Sequence, residues 1–300
     1  MGNFDGLHRG HALLIGRVRE LAREHDRPIA VLTFEPHPRS VFSPTTEPFR
    51  LTPFRVKERE LARLGVDLLF VQHFDLGFAA KSAEGFLSEI IVGAIGASHV
   101  VVGWDCTFGK SRRGTPDFLR AAGQEHGFAV TVIEPIRGAD QMVYSSTHIR
   151  ELLKAGKPRE AAALLGRFWE IDGRVAAGDR RGRTIGFPTA NLALDDYLRP
   201  AFGVYAIRVS GDGPDDPLAG RTIDGVANLG LRPTVGTPEP RLEAHLFDVD
   251  VDLYGRHLRV AFLDFIRPEQ KFASLDALKA QIAADAARAR TILAATPPIA

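Results

Sequence analysis

The sequence is short of the residues on which several kinds of protein depend. Its 300 residues contain one cysteine, Cys106, so a disulfide within the chain and a zinc site built from several cysteines are both excluded. The histidines are scattered and show no HExxH pattern, which removes the common metalloprotease site. A single cysteine fits a reducing compartment, so we expect a cytoplasmic protein.

Long apolar runs and a strong charge of one sign are also missing. The longest apolar stretch, 90–104, is interrupted by glycines, a serine and a histidine, and is too broken to cross a bilayer. No apolar segment follows Met1, as a signal peptide would require. The formal net charge of +1 provides no field that would recruit nucleic acid or an anionic membrane. We therefore predict neither nucleic acid nor membrane among the partners.

The hydrophobic pattern of the first half predicts alternating helices and strands. Residues 8–24 have helical spacing, and 27–34, RPIAVLTF, contain an apolar run typical of a buried strand. This alternation predicts a parallel α/β sheet, Rossmann-like, with helices on both faces. A helix is expected over 52–65, with Thr52 as its N-cap and Pro53 at its first helical position.

The second half has a different pattern. Short strand candidates separated by Gly, Pro and Asp follow one another, which is typical of a small antiparallel β-barrel. An Ala-rich helix over 274–293 closes the chain, with an apolar stripe formed by Leu275, Leu278 and Ile282. We therefore predict two domains, 1–165 and 166–296.

The segment GNFDGLHRGH at 2–11 brings glycines and two histidines to the expected start of the first helix. Ligands of a parallel sheet bind beyond the carboxyl ends of its strands. There, glycines let backbone N–H groups approach phosphate, and a helix N-terminus favours an anion. His8 and His11 could then donate hydrogen bonds to a phosphate chain during its transfer. Taken alone, the pattern is equally consistent with two surface histidines at the start of a helix.

A second polar cluster, YSSTHIR at 144–150, offers hydroxyls and an arginine. Alone, it would indicate only a helix cap. Together with HxGH it resembles the nucleotidylyltransferase superfamily, in which the histidines and the later Ser/Thr–Arg loop hold ATP during attack on its α-phosphorus. The resemblance implies catalytic roles for three residues and ATP-binding roles for their neighbours: His8, His11 and Arg150, and Asn3, Gly10, Ser145, Ser146 and Thr147.

The segment GWDCTFGKS at 103–111 has the appearance of a P-loop. Five residues separate Gly103 from Gly109, whereas a P-loop has four, so we reject that interpretation. The segment instead resembles the family pattern G-x-D-F-x-F-G, which implies a nucleotide-binding role for Asp105. Cys106 replaces the usual Phe and is expected to be a small buried apolar residue. A second departure is a histidine at 148, where arginine is common.

The segment GDRRGRTIGFPTANL at 178–192 combines a glycine- and arginine-rich loop with the hydroxyl oxygen of Thr189 and the amide oxygen of Asn191. Thr189 and Asn191 are two residues apart on an extended segment, so they share a face. Neutral oxygen ligands suit Mg²⁺ when ATP phosphates complete its shell. As an isolated motif the segment could also be a turn. Its expected nucleotide-binding residues are Gly178, Arg183, Gly186, Thr189 and Asn191, the last two also as metal ligands.

GFPTAN is followed, in order, by VANLGLRPT at 226–234 and RLEAHLFD at 241–248, and these strings resemble the riboflavin kinase family. A lone glutamate in a strand most often faces solvent. The resemblance instead implies that Glu243 is the catalytic base toward the ribityl 5′-hydroxyl, for which its carboxylate must lie within hydrogen-bond reach.

The two halves in this order resemble the bacterial bifunctional riboflavin kinase/FAD synthetases. The resemblance implies ATP-dependent conversion of riboflavin to FMN and ADP, then adenylylation of FMN to FAD with release of pyrophosphate. Mg²⁺ is implied and a permanently bound cofactor is not. Two alternatives stay open: a riboflavin kinase whose first domain is only a scaffold, and a non-catalytic flavin- or RNA-binding module. The sequence does not specify the oligomeric state.

The start of the chain carries one further expectation. In the family it resembles, an apolar strand precedes GNFDG, whereas here Met1 stands directly before Gly2. We expect a truncated chain that lacks a central strand, whose absence would leave buried backbone groups unpaired at about 1–3 kcal/mol each. Such a chain should form FMN well and FAD poorly, and restoring the upstream strand should restore FAD formation.

Overall fold

The structure is a computed structural model that describes residues 1–44, 47–135, 143–176, 187–211, 218, 220–232, 239–249 and 251–297. It divides into two compact units, the first comprising Met1–Glu47 and Thr52–Ser145, the second Pro48–Leu51 and Ser146–Ala300. The predicted domain ranges, 1–165 and 166–296, remain a prediction. In the part of the chain that is described, no helix is both long and apolar enough to span a membrane.

The first unit alternates helices with parallel strands, which confirms the predicted α/β class. Its α-helices are α1 (Arg9–Glu24), α2 (Pro38–Phe42), α3 (Phe54–Arg63), α4 (Leu76–Ala79), α5 (Ala83–Phe86) and α6 (Pro116–His126). A π-helical segment, Leu87–Ala94, continues α5, and Lys110–Arg112 forms a 3₁₀ turn. Its strands are β1 (Ala30–Glu35), β2 (Leu68–His73), β3 (His99–Gly103) and β4 (Ala129–Ile133).

The described strands of this unit form two parallel pairs, β1–β2 and β3–β4, and not one continuous sheet. The first two residues of the chain lie between the pairs. The backbone N–H of Gly2 donates to the carbonyl of Leu32 over 3.0 Å, and the amino group of Met1 lies 3.4 Å from the carbonyl of Val101. A cavity of about 330 Å³ is lined by residues of α1, of the π-helical segment and of the strands β1, β2 and β3.

The second unit is an antiparallel barrel with a C-terminal helix, as predicted. Its helices are α7 (Ser146–Lys154), α8 (Pro158–Leu165) and α9 (Leu275–Ala294). Its strands are β5 (Glu170–Arg174), β6 (Ala190–Ala193), β7 (Gly203–Gly211), β8 (Thr222–Arg232), β9 (Glu239–Leu246) and β10 (His257–Pro268). They pair in the order β5-β10-β7-β8-β9-β6. A bridge between Ala176 and Asn191 brings the chain after β5 against β6 and nearly closes the barrel.

The helix predicted over 52–65 forms, but its predicted N-cap is wrong. α3 begins at Phe54 and its N-cap is Pro53, which makes no side-chain capping bond. Thr52 is 1% exposed, and its hydroxyl accepts the N–H of Gly6 over 2.9 Å. The hydroxyl therefore bonds to a tertiary partner in the loop that precedes α1.

α9 docks on the barrel through its C-terminal half. Ala289 and Leu293 are buried against barrel residues, whereas Leu275, at the start of the predicted stripe, is 55% exposed. Asp285, also on the buried face, accepts hydrogen bonds from the Arg267 guanidinium at 2.7–3.1 Å and from the Gln281 amide at 2.9 Å.

Asp285→Ala is expected to lower the free energy of unfolding of the barrel by about 3–5 kcal/mol, because it leaves a mostly buried guanidinium without its carboxylate. Denaturant unfolding, followed by a probe in the barrel, measures the change. Asp276→Ala, at an exposed position in the first turn of the same helix, should cost less than about 1 kcal/mol. Equal effects of the two substitutions would contradict this account of Asp285.

Candidate active sites

The loop formed by residues 2–8 contains left-handed backbone conformations, and two of its apolar side chains are buried. Phe4 and Leu7 are buried in one cluster with Ile15 of α1 and Val31 of β1. Phe4 and Leu7 have φ of 50° and 45°, in the left-handed region that few non-glycine residues adopt, and Gly6 has φ of 92°. The buried side chains thus fix this backbone directly before α1.

The structure brings His8 and His11 together at the start of α1. His8 is the N-cap, and its Nδ1 accepts the backbone N–H of His11 at 3.4 Å. The two rings stack, with centroids 3.8 Å apart and planes 16° from parallel. Because Nδ1 accepts, the proton of a neutral His8 ring lies on Nε2, which is then a donor. The first turn of α1 therefore combines ring donors with the positive end of a helix dipole.

Gly10 makes room for this pair. A Cβ at position 10 would lie 3.1 Å from the His8 ring and 3.1 Å from the Cβ of Tyr144. A side chain here would press on the His8 ring, so we assign Gly10 a steric role beside the predicted one in nucleotide binding.

Asn3 and Asp105, both predicted to bind nucleotide, are exposed. Asn3 precedes the buried part of the loop, and Asp105 lies two residues after the end of β3. Cys106 packs against the apolar cluster that contains Phe86 and Phe108, as an apolar residue was expected to do, but it is half-buried where full burial was predicted. Burial raises the pKa of the Cys106 thiol, so the thiol stays protonated at neutral pH.

The predicted Ser/Thr–Arg cluster spans the division between the two units. Ser145 ends the first unit, while Ser146 and Thr147 begin α7 in the second. Arg150 of α7 donates from Nε to the carbonyl of Phe49 over 2.9 Å, and its guanidinium lies 5.5 Å from the centroid of the Phe49 ring. The predicted roles of these residues in ATP binding stay predictions.

In the second unit, three polar residues lie side by side across neighbouring strands. Asn191 of β6 is directly opposite Glu243 of β9, and Glu243 is directly opposite Asn228 of β8. Directly opposite residues of antiparallel strands project from the same face, with Cβ atoms about 4.5–5.5 Å apart. Glu243 and Asn228 are half-buried, and Asn191 is 7% exposed. A carboxylate therefore lies in a row between two amides, which we call the Asn–Glu–Asn row.

The segment that leads into β6 is attached to the same face of the barrel. Nδ2 of Asn191 lies 3.5 Å from the carbonyl oxygen of Thr189, and Nδ1 of His245 lies 2.8 Å from that of Pro188. His245 is two residues after Glu243 in β9, so both side chains project from one face. Thr189 is thus held near the Asn–Glu–Asn row.

Comparison with known proteins divides the chain in the same order as its two units. The FAD synthetase family model matches residues 1–148, and the riboflavin kinase family model matches residues 165–293. The bifunctional riboflavin kinase/FMN adenylyltransferase of Escherichia coli strain K12 is 44% identical over 298 residues, covering 99% of this chain and 93% of that protein. The proteins of the same description from Pseudomonas fluorescens and Bacillus subtilis are 42% and 37% identical, and cover 98% and 95% of this chain.

The chain belongs to the bifunctional riboflavin kinase/FMN adenylyltransferase family. A crystal structure from Streptococcus pneumoniae, described as a macrolide-efflux protein, has the same fold, with a TM-score of 0.83 and 34% identity. The superposition covers 95% of this chain and 90% of that one.

Within this family assignment, the histidine pair and the Asn–Glu–Asn row fall in different matched segments, and Arg150 lies between the two matches. His8 and His11 lie in the part matched by the FAD synthetase model, and the Asn–Glu–Asn row lies in the part matched by the riboflavin kinase model. The predicted phosphate-loop residues of the kinase, Gly178, Arg183 and Gly186, lie outside the described residues. The described chain leads up to that loop at Ala176, which bridges to Asn191 beside the row.

Asn228 is the site residue that sequence reasoning missed. Its string, VANLGLRPT, contributed to the resemblance, but nothing in the string singles out the asparagine. The pairing of β8 with β9 is what places it opposite Glu243. The available signal was the strand alternation of β8, in which Asn228 is a half-buried polar residue between the buried Ala227 and Leu229.

Proposed function

We propose that the barrel transfers the γ-phosphoryl group of ATP to the ribityl 5′-hydroxyl of riboflavin, forming FMN and ADP, with Glu243 as the general base. The Asn–Glu–Asn row is the observation that carries this proposal. It provides a carboxylate to accept the hydroxyl proton as the new O–P bond forms, and amides on both sides to orient that carboxylate. Phosphoryl transfer depends chiefly on such positioning and on neutralisation of phosphate charge.

Thr189 and Asn191 are the residues that we propose hold Mg²⁺. Nδ2 of Asn191 faces the Thr189 carbonyl, so Oδ1 of the same amide is directed away from it. Among the described residues, no group of three His, Cys, Asp or Glu side chains could hold a metal ion. Neutral oxygens of Thr189 and Asn191, completed by ATP phosphates, fit Mg²⁺. The bound ion would neutralise phosphate charge during transfer.

For the first unit we propose adenylyl transfer, in which the FMN phosphate attacks the α-phosphorus of ATP and pyrophosphate leaves. An FMN phosphate is already ionised at neutral pH, so the site requires no general base. His8 and His11 would donate hydrogen bonds to the phosphates as charge builds up. The proposed ATP contacts also include Asn3, Gly10, Asp105, Ser145, Ser146, Thr147 and Arg150.

One incubation tests the two-step function against the two alternatives that the sequence left open, which the family assignment does not favour. The chain is mixed with riboflavin and MgATP, and the flavins are then resolved by chromatography. Formation of FAD supports both activities, whereas FMN as the final product supports a kinase with a scaffold domain. Unchanged riboflavin would support a binding module. A second incubation that starts from FMN measures the adenylyl transfer alone.

Asn191→Ala is expected to raise the Mg²⁺ concentration needed for half-maximal FMN formation by about tenfold, because one of the two protein oxygens is lost. Thr189→Ala should produce a smaller shift in the same direction. Mg²⁺ titration of the kinase reaction measures both. Asn3→Ala, in the first unit, is the matched control and should leave the titration unchanged. Identical titration curves for all three variants would contradict metal coordination at this site.

A further inference from the structure

We infer that Asp5 and Thr52 are positioning residues for adenylyl transfer, acting through the loop of residues 2–8. This inference rests on the proposed function of His8 and His11. Neither Asp5 nor Thr52 belongs to the groups proposed above to touch substrate, and both are almost completely buried, at 3% and 1% exposure.

A chain of hydrogen bonds joins Thr52 to the loop. The backbone N–H of Gly6 donates to Oγ1 of Thr52 over 2.9 Å. Oγ1 of Thr52 lies 3.3 Å from Oδ1 of Asp5, and the N–H of Thr52 donates to the same oxygen over 3.0 Å. Because Oγ1 accepts from Gly6, its own proton is available to Asp5. The hydroxyl thus bonds to two consecutive residues of the loop at once.

The loop needs such an anchor because its backbone is unfavourable by itself. Three of its residues, Phe4, Gly6 and Leu7, have positive φ. Left-handed conformations of non-glycine residues persist only where the surrounding structure imposes them. Gly6, whose N–H bonds to Thr52, lies in the middle of this segment, and His8 caps α1 two residues later. A loosened loop would therefore displace the N-cap and the stacked ring pair with it.

A second chain of hydrogen bonds connects α3, the helix that follows Thr52, to Asn3 at the beginning of the loop. Nζ of Lys57, a fully buried residue of α3, lies 2.8 Å from Oε1 of Glu35 and 3.3 Å from Oγ1 of Thr33. Oγ1 of Thr33 in turn donates to the carbonyl of Asn3 over 3.4 Å. The loop is therefore held at Asn3 through Thr33 and Lys57, and at Asp5 and Gly6 through Thr52. The contact at Asn3 does not involve the Thr52 hydroxyl, whereas the bond to Gly6 depends on it entirely.

Thr52→Val keeps the shape of the side chain and removes the hydroxyl. A displacement of about 1 Å in a group that positions substrate can lower turnover by about a hundredfold. We expect kcat for FAD formation from FMN and MgATP to fall by roughly tenfold to a hundredfold, with KM for either substrate changed much less. Thr52→Ser should restore kcat to within a few-fold. Formation of FMN from riboflavin should be unchanged in both variants.

Thr131→Val is the matched control, because it makes the same substitution in the same unit. It removes a hydroxyl of β4 that lies 2.9 Å from Nε2 of His99. It should leave FAD formation within threefold of the unchanged chain. If Thr52→Val does not fold, Asp5→Asn carries the test, with a several-fold loss of kcat expected.

Three results would overturn the inference: full kcat in Thr52→Val or Asp5→Asn, an equal loss in Thr131→Val, or no rescue by serine. His11→Ala, measured in parallel, distinguishes the underlying proposal. If His11→Ala abolishes FAD formation while Thr52→Val does not lower it, the loop is a site but Thr52 does not position it. If His11→Ala has no effect, or the unchanged chain forms no FAD from FMN, the proposed function of the loop is wrong and the inference falls with it.

Discussion

Glu243→Gln should lower the rate of FMN formation by roughly 10²–10⁴-fold, the usual effect of losing a general base. The amide has nearly the shape of the carboxylate and can still lie between Asn191 and Asn228, but it cannot accept the proton of the ribityl hydroxyl. The rate of riboflavin phosphorylation at saturating MgATP measures the effect. FAD formation from supplied FMN should stay near that of the unchanged chain, because His8 and His11 lie in the other unit.

Glu170→Gln is the control for this experiment, since it makes the same substitution at a half-buried position of β5 in the same barrel. It should leave FMN formation within a few-fold of the unchanged chain. Glu243 would be removed from the mechanism if its variant phosphorylated riboflavin within a few-fold of the unchanged chain. An equal loss in both variants would show that the barrel tolerates neither substitution.

His11→Ala is expected to lower FAD formation from FMN by roughly 10²–10³-fold, comparable to the loss of one donor to a developing negative charge. The substitution removes the His11 ring, whose centroid lies 3.8 Å from that of the His8 ring in the stacked pair. Turnover is measured with FMN and MgATP, and riboflavin phosphorylation in the same preparation serves as the internal reference. The reference rate should not change.

His25→Ala provides the matched control, because His25 is an exposed histidine at the opposite end of the same helix, α1. It should have little effect on either activity. A lowered melting temperature with equal loss of both activities in His11→Ala would indicate that His11 is a structural residue.

The general organisation of the chain could be predicted because it depends on local patterns. Continuous apolar segments between helical ones predicted parallel strands, and β1 is parallel to β2 and β3 to β4. Short strands separated by Gly, Pro and Asp predicted the barrel. These patterns indicate which side of each helix or strand is buried, and the spacing of apolar residues within a few positions is enough to show it. The segments GNFDGLHRGH and GFPTAN, together with YSSTHIR, VANLGLRPT and RLEAHLFD, were specific enough to indicate the family.

Details that depend on a distant partner could not be predicted from sequence. The N-cap prediction for Thr52 failed because its hydroxyl bonds to Gly6, 46 residues away. The apolar stripe at the start of α9 lies on the same helical face as the buried Asp285, but it did not indicate that the C-terminal half of the helix makes the buried contacts, where Asp285 bonds to Arg267 of β10. A capping residue and a helical stripe are local signals, and they do not specify a buried hydrogen bond to a distant group.

By itself, the sequence determined the α/β class of the first half, the barrel of the second and the chemical types of residue available for phosphate transfer. Only the tertiary structure decided which of these residues become neighbours. Antiparallel register put Asn228 and Asn191 on either side of Glu243, and left-handed backbone held by buried side chains put His8 against His11. The reason is physical: burial pattern is encoded locally along the chain, whereas register and hydrogen-bond partners are set by contacts between segments far apart in sequence.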